Sequence, residues 1–378
     1  ILTLAKQKNV SALKVNDTLK ALGQEAKKIK QKFNPFVIAI TGSNGKTTTK
    51  EIIGQILASK YPTVYPKKSF NNLIGLPLTL LNIDKNTKYV VLEMGMNHPN
   101  EITQLMKIAT PNLGVLINIL NTHIGNFDSF DDIVAAKGEI AQNLEPDTTL
   151  ILNEDCLQYP FFHQEFSCQL KTFGTKKENL CTLKAVQQIN EKLHIDILIK
   201  NQTYQFIYPG LGLHNAQNVT AAVACLYELG LSPEEIQEKI LKVKPPHMRL
   251  QKILLSNGAT IINDSYNANP TATKAAIETL TAIPCSGQKY FIFGDMAELG
   301  KYSQESHQEI GDYLSKSSID NIYTYGEETK YTYQALQNSA KKSQHFENKS
   351  NLATYLKQKI KKNDLILFKG SNKLALWT

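Results

Sequence analysis

The residues best equipped for chemistry lie in Val37–Lys50, VIAITGSNGKTTTK. An apolar, β-branched run ends in Gly42-Ser43-Asn44-Gly45-Lys46-Thr47-Thr48, and helical periodicity follows over Glu51–Ala58. Strand, glycine loop and helix in that order form a phosphate cradle. The glycines let backbone N–H groups turn inward around phosphate oxygens, and the helix N-terminus adds partial positive charge. In such a cradle Lys46 reaches the outer phosphates and the Thr47 hydroxyl faces a magnesium ion. The loop is shorter than the general G-x-x-x-x-G-K-[ST] form, because Ile40 stands where its first glycine belongs. The flanking strand and helix separate this stretch from a chance Gly-Lys-Thr in a lysine-rich chain, and a nucleoside triphosphate is the expected substrate.

Further polar residues close other apolar runs. Glu93 ends Tyr89–Glu93, placed either to hold magnesium or to serve as a helix-capping or surface carboxylate. His123, in Asn-Thr-His-Ile-Gly, follows the run Leu113–Ile119, and a lone histidine there is ordinarily structural. Lys137 sits in a helical stretch around Ile133–Ile140, where most lysines face solvent. Asn71 and Asn72 form either a turn or a substrate contact. Asn215 and Asn218 lie three apart on one helical face. Asp264-Ser265-Tyr266-Asn267-Ala268-Asn269-Pro270 bridges a strand and a helix. Among 42 basic residues Arg249 is the single arginine, which suits a site needing a planar five-donor fork.

The elements that position these residues alternate. Val37–Ile40, Thr63–Tyr65, Tyr89–Glu93, Leu113–Ile119 and Thr149–Leu152 read as strands of a mostly parallel sheet with helices on both faces. Ligands of such sheets bind at the carboxyl ends of the strands, where the polar motifs fall. His194–Lys200 and Thr203–Tyr208 flank Asn201-Gln202 like a hairpin. A helix runs on from Leu213 to Leu229 and stops at Gly230. Lys244–His247 reads as a linker. A second hairpin, Leu250–Leu255 with Thr260–Asn263, then precedes a helix over Thr271–Thr281. Strands at Tyr290–Phe293, Asn321–Tyr325 and Leu365–Phe368 complete a second, Rossmann-like α/β unit, so the active site belongs in the cleft between the two. The lysine-rich lead-in Ile1–Phe33 holds one helix capped by Asn16 or Asp17, with Leu19, Leu22, Ala26 and Ile29 on its apolar face.

Composition narrows the function. A chain of 378 residues, 42% apolar, supports two or more domains. No segment reaches the roughly 20 apolar residues of a membrane helix, so no membrane insertion is expected. The best candidate, Leu113–Leu120, is short and carries Asn118. The formal charge of +8 comes from lysines spread along the chain, clustered only at Lys27–Lys32 and Lys357–Lys362. Without aromatic interleaving this excludes a nucleic-acid partner and suits anionic substrates. Five cysteines, never as C-x-x-C, give neither a disulfide framework nor a zinc site, and a cytoplasmic protein is expected. The start at Ile1, without a signal-peptide pattern, leads to the expectation that an upstream piece is missing.

Together the motifs resemble the Mur ligases, the ATP-dependent amide-forming enzymes of peptidoglycan synthesis. They are ITGSNGKTTTKE, SFNNLIGLPLT, VLEMGMNHPNEI, NTHIGNF with AAKGEIAQNL, GLHNAQNVTAAVA, HMRLQ, NDSYNANPTA, FGDMAELG and LFKGS, in family order from Ile40 to Ser371. NDSYNANP, FGDMAELG and EMGMNHP favour the branch that adds D-alanyl-D-alanine to a UDP-muramoyl tripeptide. A different Mur ligase or a folylpolyglutamate synthase is the rival within the superfamily, and a nucleotide-regulated binding protein the rival outside it.

The resemblance implies ATP and magnesium as cofactors, with Lys46 and the loop amides holding ATP and Thr47 and Glu93 holding the metal. It further implies that His123 helps bind a second magnesium, supported by Lys137 as a carbamylated lysine. Asn215, Asn218, Arg249 and Asp264 would hold adenine, ribose and phosphates. Asn71, Asn72, Tyr266, Asn267 and Asn269 would face the other substrates. Residues 1–34 would then be a remnant of a UDP-binding domain and its linker helix, 35–245 the ATP-binding domain, and 246–378 the ligase domain binding the incoming dipeptide. A monomer is expected. Asn372 stands where the family pattern after LFKGS usually has arginine, so a carboxylate contact there is expected to be lost or shifted.

Overall fold

The computed structural model describes residues 12, 14–122, 124–319 and 321–376. His123 lies outside them, as do residues 1–11. The lead-in forms helix α1 (Thr18–Phe33), with Asp17 as its cap: its carboxylate accepts from the N–H groups of Leu19 and Lys20. Asn34, at φ 46°, ends it.

The first sheet begins with β1 (Phe36–Thr41). Helix α2 (Lys46–Ala58) leaves its phosphate loop, and β2 (Thr63–Val64) follows. Then come α3 (Gly75–Leu80), β3 (Tyr89–Glu93), α4 (Glu101–Ala109) and β4 (Leu113–Leu116). Helix α5 (Phe130–Gln142) starts in a Ser129/Asp132 capping box, and β5 (Thr149–Asn153) and β6 (Gln169–Gly174) continue the parallel part, to which the next strand also pairs in parallel. The expected strands at Thr63–Tyr65 and Leu113–Ile119 are thus shorter than read. Ile117 still hydrogen-bonds to Thr41, but the chain then turns away to fasten the phosphate loop. An antiparallel meander, β7 (Cys181–Ile189), β8 (Lys192–Ile199) and β9 (Gln202–Tyr208), extends the sheet to nine strands in the order β2-β3-β1-β4-β5-β6-β7-β8-β9.

Near-continuous apolar strands bury both faces. On one, Ile38, Ile40, Val91 and Val115 pack under α2 and α6 (Asn215–Glu228). On the other, Val37, Ala39, Val90 and Leu92 meet α1, α3, α4 and α5. The lead-in helix therefore packs on the first sheet, with Gly23 so close to Ile108 that an added Cβ would lie 2.9 Å away. Leu19, expected on its apolar face, is instead 46% exposed. A short helix, α7 (Pro233–Ile240), precedes the linker, which Gln55 clasps through both the N–H and the carbonyl of Lys244.

The second sheet contains β10 (Gln251–Leu254) and β11 (Thr260–Asp264), the expected hairpin around Gly258. After α8 (Pro270–Ala282) come β12 (Lys289–Gly294), α9 (Ser303–Ser315), β13 (Asn321–Tyr325) and α10 (Thr329–Leu336). Then β14 (Lys342–Phe346), α11 (Lys349–Lys359) and β15 (Leu365–Lys369) close it in the order β10-β11-β15-β12-β13-β14. Among the described residues only β10 runs antiparallel to its neighbour in this sheet. Asn269 caps α8, accepting from Ala272 N–H.

Candidate active site

The phosphate loop is held by backbone geometry and by the segment after β4. Gly42 and Gly45 take φ values of 149° and 89°. A Cβ on Gly45 would lie 2.0 Å from Asn218 Oδ1, so glycine is required there twice over. Asn44 N–H donates to Asn118 Oδ1 at 2.9 Å, and Asn118 Nδ2 donates back to the Asn44 carbonyl at 3.2 Å. Ser43 is tied to Leu120 through its hydroxyl, which donates to the carbonyl and accepts from the N–H. Lys46 Nζ lies over the loop, donating to the carbonyls of Gly42 (2.6 Å) and Ser43 (3.2 Å).

Thr47 is the junction of the site. Its hydroxyl donates to Glu93 Oε2 at 3.2 Å, lies 2.9 Å from Ser69 Oγ, and accepts from Arg249 Nη2 at 2.9 Å. Glu93 is fully buried at the end of β3, which settles it as a carboxylate of the cleft floor rather than a surface group. Its Oε1 accepts no hydrogen bond, and its nearest cation is Lys50 Nζ at 3.7 Å. A buried carboxylate oxygen left without a donor beside a hydroxyl is a donor set that fits a hard divalent cation.

Lysine chemistry is altered here. Burial lowers the Lys46 ammonium to about 8; Glu93 opposes the shift and Arg249 adds to it. Lys137, on the inner side of α5 and 2% exposed, is pushed well below the ordinary lysine range, first by burial and then by repulsion from Lys46. The expectation that such a helical lysine faces solvent therefore fails: α5 turns this position inward.

A cavity of about 750 Å³ joins the phosphate loop, Thr47 and Glu93 to the second sheet; buried Lys137 lies behind Lys46 and does not line it. Lys46, Thr47, Glu93, Asn71, Arg249 and Asn269 line it, with Asn215, Asn218, Asp264, Tyr266 and Asn267 on the same wall system. Asn72 also lines it, but its side-chain oxygen accepts from Ile74 and Gly75 N–H, the work of a turn residue. Asn218 donates to Asn215 Oδ1 at 2.8 Å, so these two amides form a pair on α6. Across the cleft Asn269 Nδ2 donates to Asn44 Oδ1 at 2.8 Å. The Arg249 guanidinium stacks 4.5 Å from the centre of the Tyr266 ring.

Three contributors were not singled out from sequence. Ser69 touches Thr47 from the loop after β2; it opens the motif SFNNLIGLPLT, but its residue type suggested no role. Lys50 is fully buried, donating to the Pro66 carbonyl (2.5 Å) and Glu51 Oε1 (2.7 Å); in a lysine-rich helix nothing marks it. Lys369 pairs with Asp264 Oδ2 at 3.0 Å, and its place directly after the apolar run LILF, at a carboxyl end of a parallel strand, was the available signal.

A phosphate loop on one α/β sheet, reached by an arginine from a second, defines a class of two-part nucleotide-handling proteins. Residues 40–226 match the Mur ligase middle domain and residues 248–372 match the Mur ligase, glutamate ligase domain. The chain is 39% identical over 370 residues to the UDP-N-acetylmuramoyl-tripeptide–D-alanyl-D-alanine ligase of Bacillus subtilis, covering 97% of this chain and 80% of the relative. The Escherichia coli ligase of the same name is 30% identical over 366 residues, covering 96% and 80%. The structure of MurF from Acinetobacter baumannii superposes with a TM-score of 0.87 at 30% identity, covering 96% of this chain and 80% of the other. That of the Thermotoga maritima MurF ligase in complex with ADP gives 0.85 at 26% identity, covering 97% and 83%. The chain belongs to the Mur ligase family.

Proposed function

We propose that the chain joins D-alanyl-D-alanine to UDP-N-acetylmuramoyl-tripeptide, using ATP and passing through an acyl phosphate. The observation that carries this reading is Thr47: one hydroxyl meets a buried carboxylate from its own sheet and an arginine from the other. That junction suits phosphoryl transfer, in which catalysis consists of positioning and charge stabilisation.

The step balances simply. A carboxylate oxygen of the tripeptide bonds to the γ-phosphorus as the bond to ADP breaks. The dipeptide amine then bonds to the carbonyl carbon and loses a proton, and phosphate leaves. Lys46 and the loop amides hold the outer phosphates, Arg249 adds a planar donor set to them, and Asn215 and Asn218 face the base and ribose. Thr47 and Glu93 would hold a magnesium ion, which neutralises the phosphates so that an anionic carboxylate can approach. Residues 35–245 act as the ATP-binding domain and 246–378 as the ligase domain binding the dipeptide. One chain supplies both walls of the cleft, which supports action as a monomer, and the nucleotide-linked precursor it takes supports a cytoplasmic setting.

Lys137 is the site of a carbamate in this reading. A neutral amine adds carbon dioxide, forming an N–C bond and releasing a proton, and the low proton affinity of Lys137 favours that form. The anion produced, together with His123, would support a second magnesium near the acceptor carboxylate. The assay that tests the whole reading measures phosphate release from ATP. Release should require UDP-muramoyl tripeptide and D-alanyl-D-alanine together; equal release with either alone, or none with both, rejects the ligase.

A further inference from the structure

Arg249 stands on strained backbone. Its neighbours Met248 and Leu250 have φ values of 58° and 51°, the left-handed region that bulky side chains rarely enter. Such an arc persists only where its surroundings fix it. Met248 N–H donates to Gln251 Oε1 and Leu250 N–H donates to Asp264 Oδ1, both at 3.1 Å. The other oxygen of Asp264 meets Lys369 Nζ at 3.0 Å. Lys369 is 2% exposed, and its ammonium also donates to the carbonyls of Asp264 (3.3 Å) and Asn267. With three acceptors for three N–H donors, the buried charge is fully satisfied. The same contacts close the turn that carries Tyr266, whose ring supports the Arg249 guanidinium. Both supports of Arg249, the arc and the ring, thus converge on one lysine at the end of β15.

We propose that Lys369 is a positioning residue for nucleotide binding, acting through Asp264 and Tyr266 to fix Arg249 against the phosphate loop. Asp264 then serves as a bridge between Lys369 and the arginine arc. The inference rests on the reading of the cleft as an ATP site, and it does not need the ligase step.

The test is ATP affinity of the full chain by calorimetry for Lys369→Met, Arg249→Met and the double variant, with thermal melts alongside. Loss of a charge-assisted contact to phosphate weakens ATP about tenfold or more, and Lys369→Met should approach that loss. In the Arg249→Met background it should add less than about threefold, because the two act as one unit. Losses that multiply, or no loss in Lys369→Met, overturn the proposal. Should Lys369→Met melt early, Tyr266→Leu removes the ring and leaves the Lys369–Asp264 pair intact; it must show the same failure to multiply with Arg249→Met, and multiplicative losses there overturn the proposal equally. Wild-type protein that binds ATP but joins no peptides removes the ligase reading and leaves this one standing. Wild-type protein that binds no ATP removes both.

Discussion

The chemistry of the cleft depends on where buried lysines keep or lose their protons. Lys46 is lowered to about 8 by burial, so it is an ammonium below that pH and an amine above it. Charge attraction to phosphate fades as that proton leaves. ATP affinity of the free protein is therefore expected to hold up to about pH 8 and to fall at higher pH, by at most about tenfold per unit; titration calorimetry between pH 7 and 9.5 checks this, and a flat profile contradicts it. Lys137 tests the opposite use of a neutral amine. Lys137→Ala should lose turnover, and bicarbonate should not restore it; unchanged turnover would remove the carbamate role. Thr47, Lys46 and Glu93 were legible from their spacing and their places at strand ends, because phosphate chemistry constrains residue types tightly. Lys50 and Lys137 were not legible as buried groups, since a lysine inside a helix carries no mark of which way the helix turns. The resemblance alone pointed to Lys137.

At the level of elements, the apolar strands announced the parallel core, because burial on both faces leaves little room for polar residues. Strand β14 went unread. Its sequence KSQHF is polar because it is an edge strand, paired with a neighbour along one side only and leaving Lys342 and Gln344 exposed. Strand ends were overread where Leu113–Leu116 runs on into the apolar Ile117-Asn118-Ile119, a segment that leaves the sheet to clamp the loop. That clamp makes the loop a rigid element, and Gly45→Ala tests it. The substitution forces a side chain into left-handed backbone and against Asn218, so a loss of about 1–3 kcal/mol is expected, read from the denaturation midpoint. A stability unchanged from wild type would mean that Asn218 does not pack against the loop as described. A milder test lies in α5, where Ser129→Ala breaks the capping box and should cost about 1 kcal/mol.

For the whole molecule, the decisive feature is that two separate sheets, each with its own cores, share one cleft. Lys244–His247 reads as a linker and the pattern changes after it, but the contacts that bring the sheets together were not legible. Asn269 on Asn44 and Arg249 on Thr47 are separated by 225 and 202 residues, and no periodicity reports such pairings. The solitary arginine was a hint that the second unit sends a specific group somewhere. The structure supplies its destination. Among the described residues no helix is long and apolar enough to cross a membrane.

In the proposed reaction the peptide's own carboxylate, and not water, takes the γ-phosphoryl group in this cleft. Tripeptide labelled with oxygen-18 in both oxygens of its terminal carboxylate tests that directly, by mass spectrometry of the phosphate released during ligation with D-alanyl-D-alanine. One labelled oxygen is expected in each phosphate and one retained in the new amide. Unlabelled phosphate would show that ATP is merely hydrolysed, and would contradict that transfer.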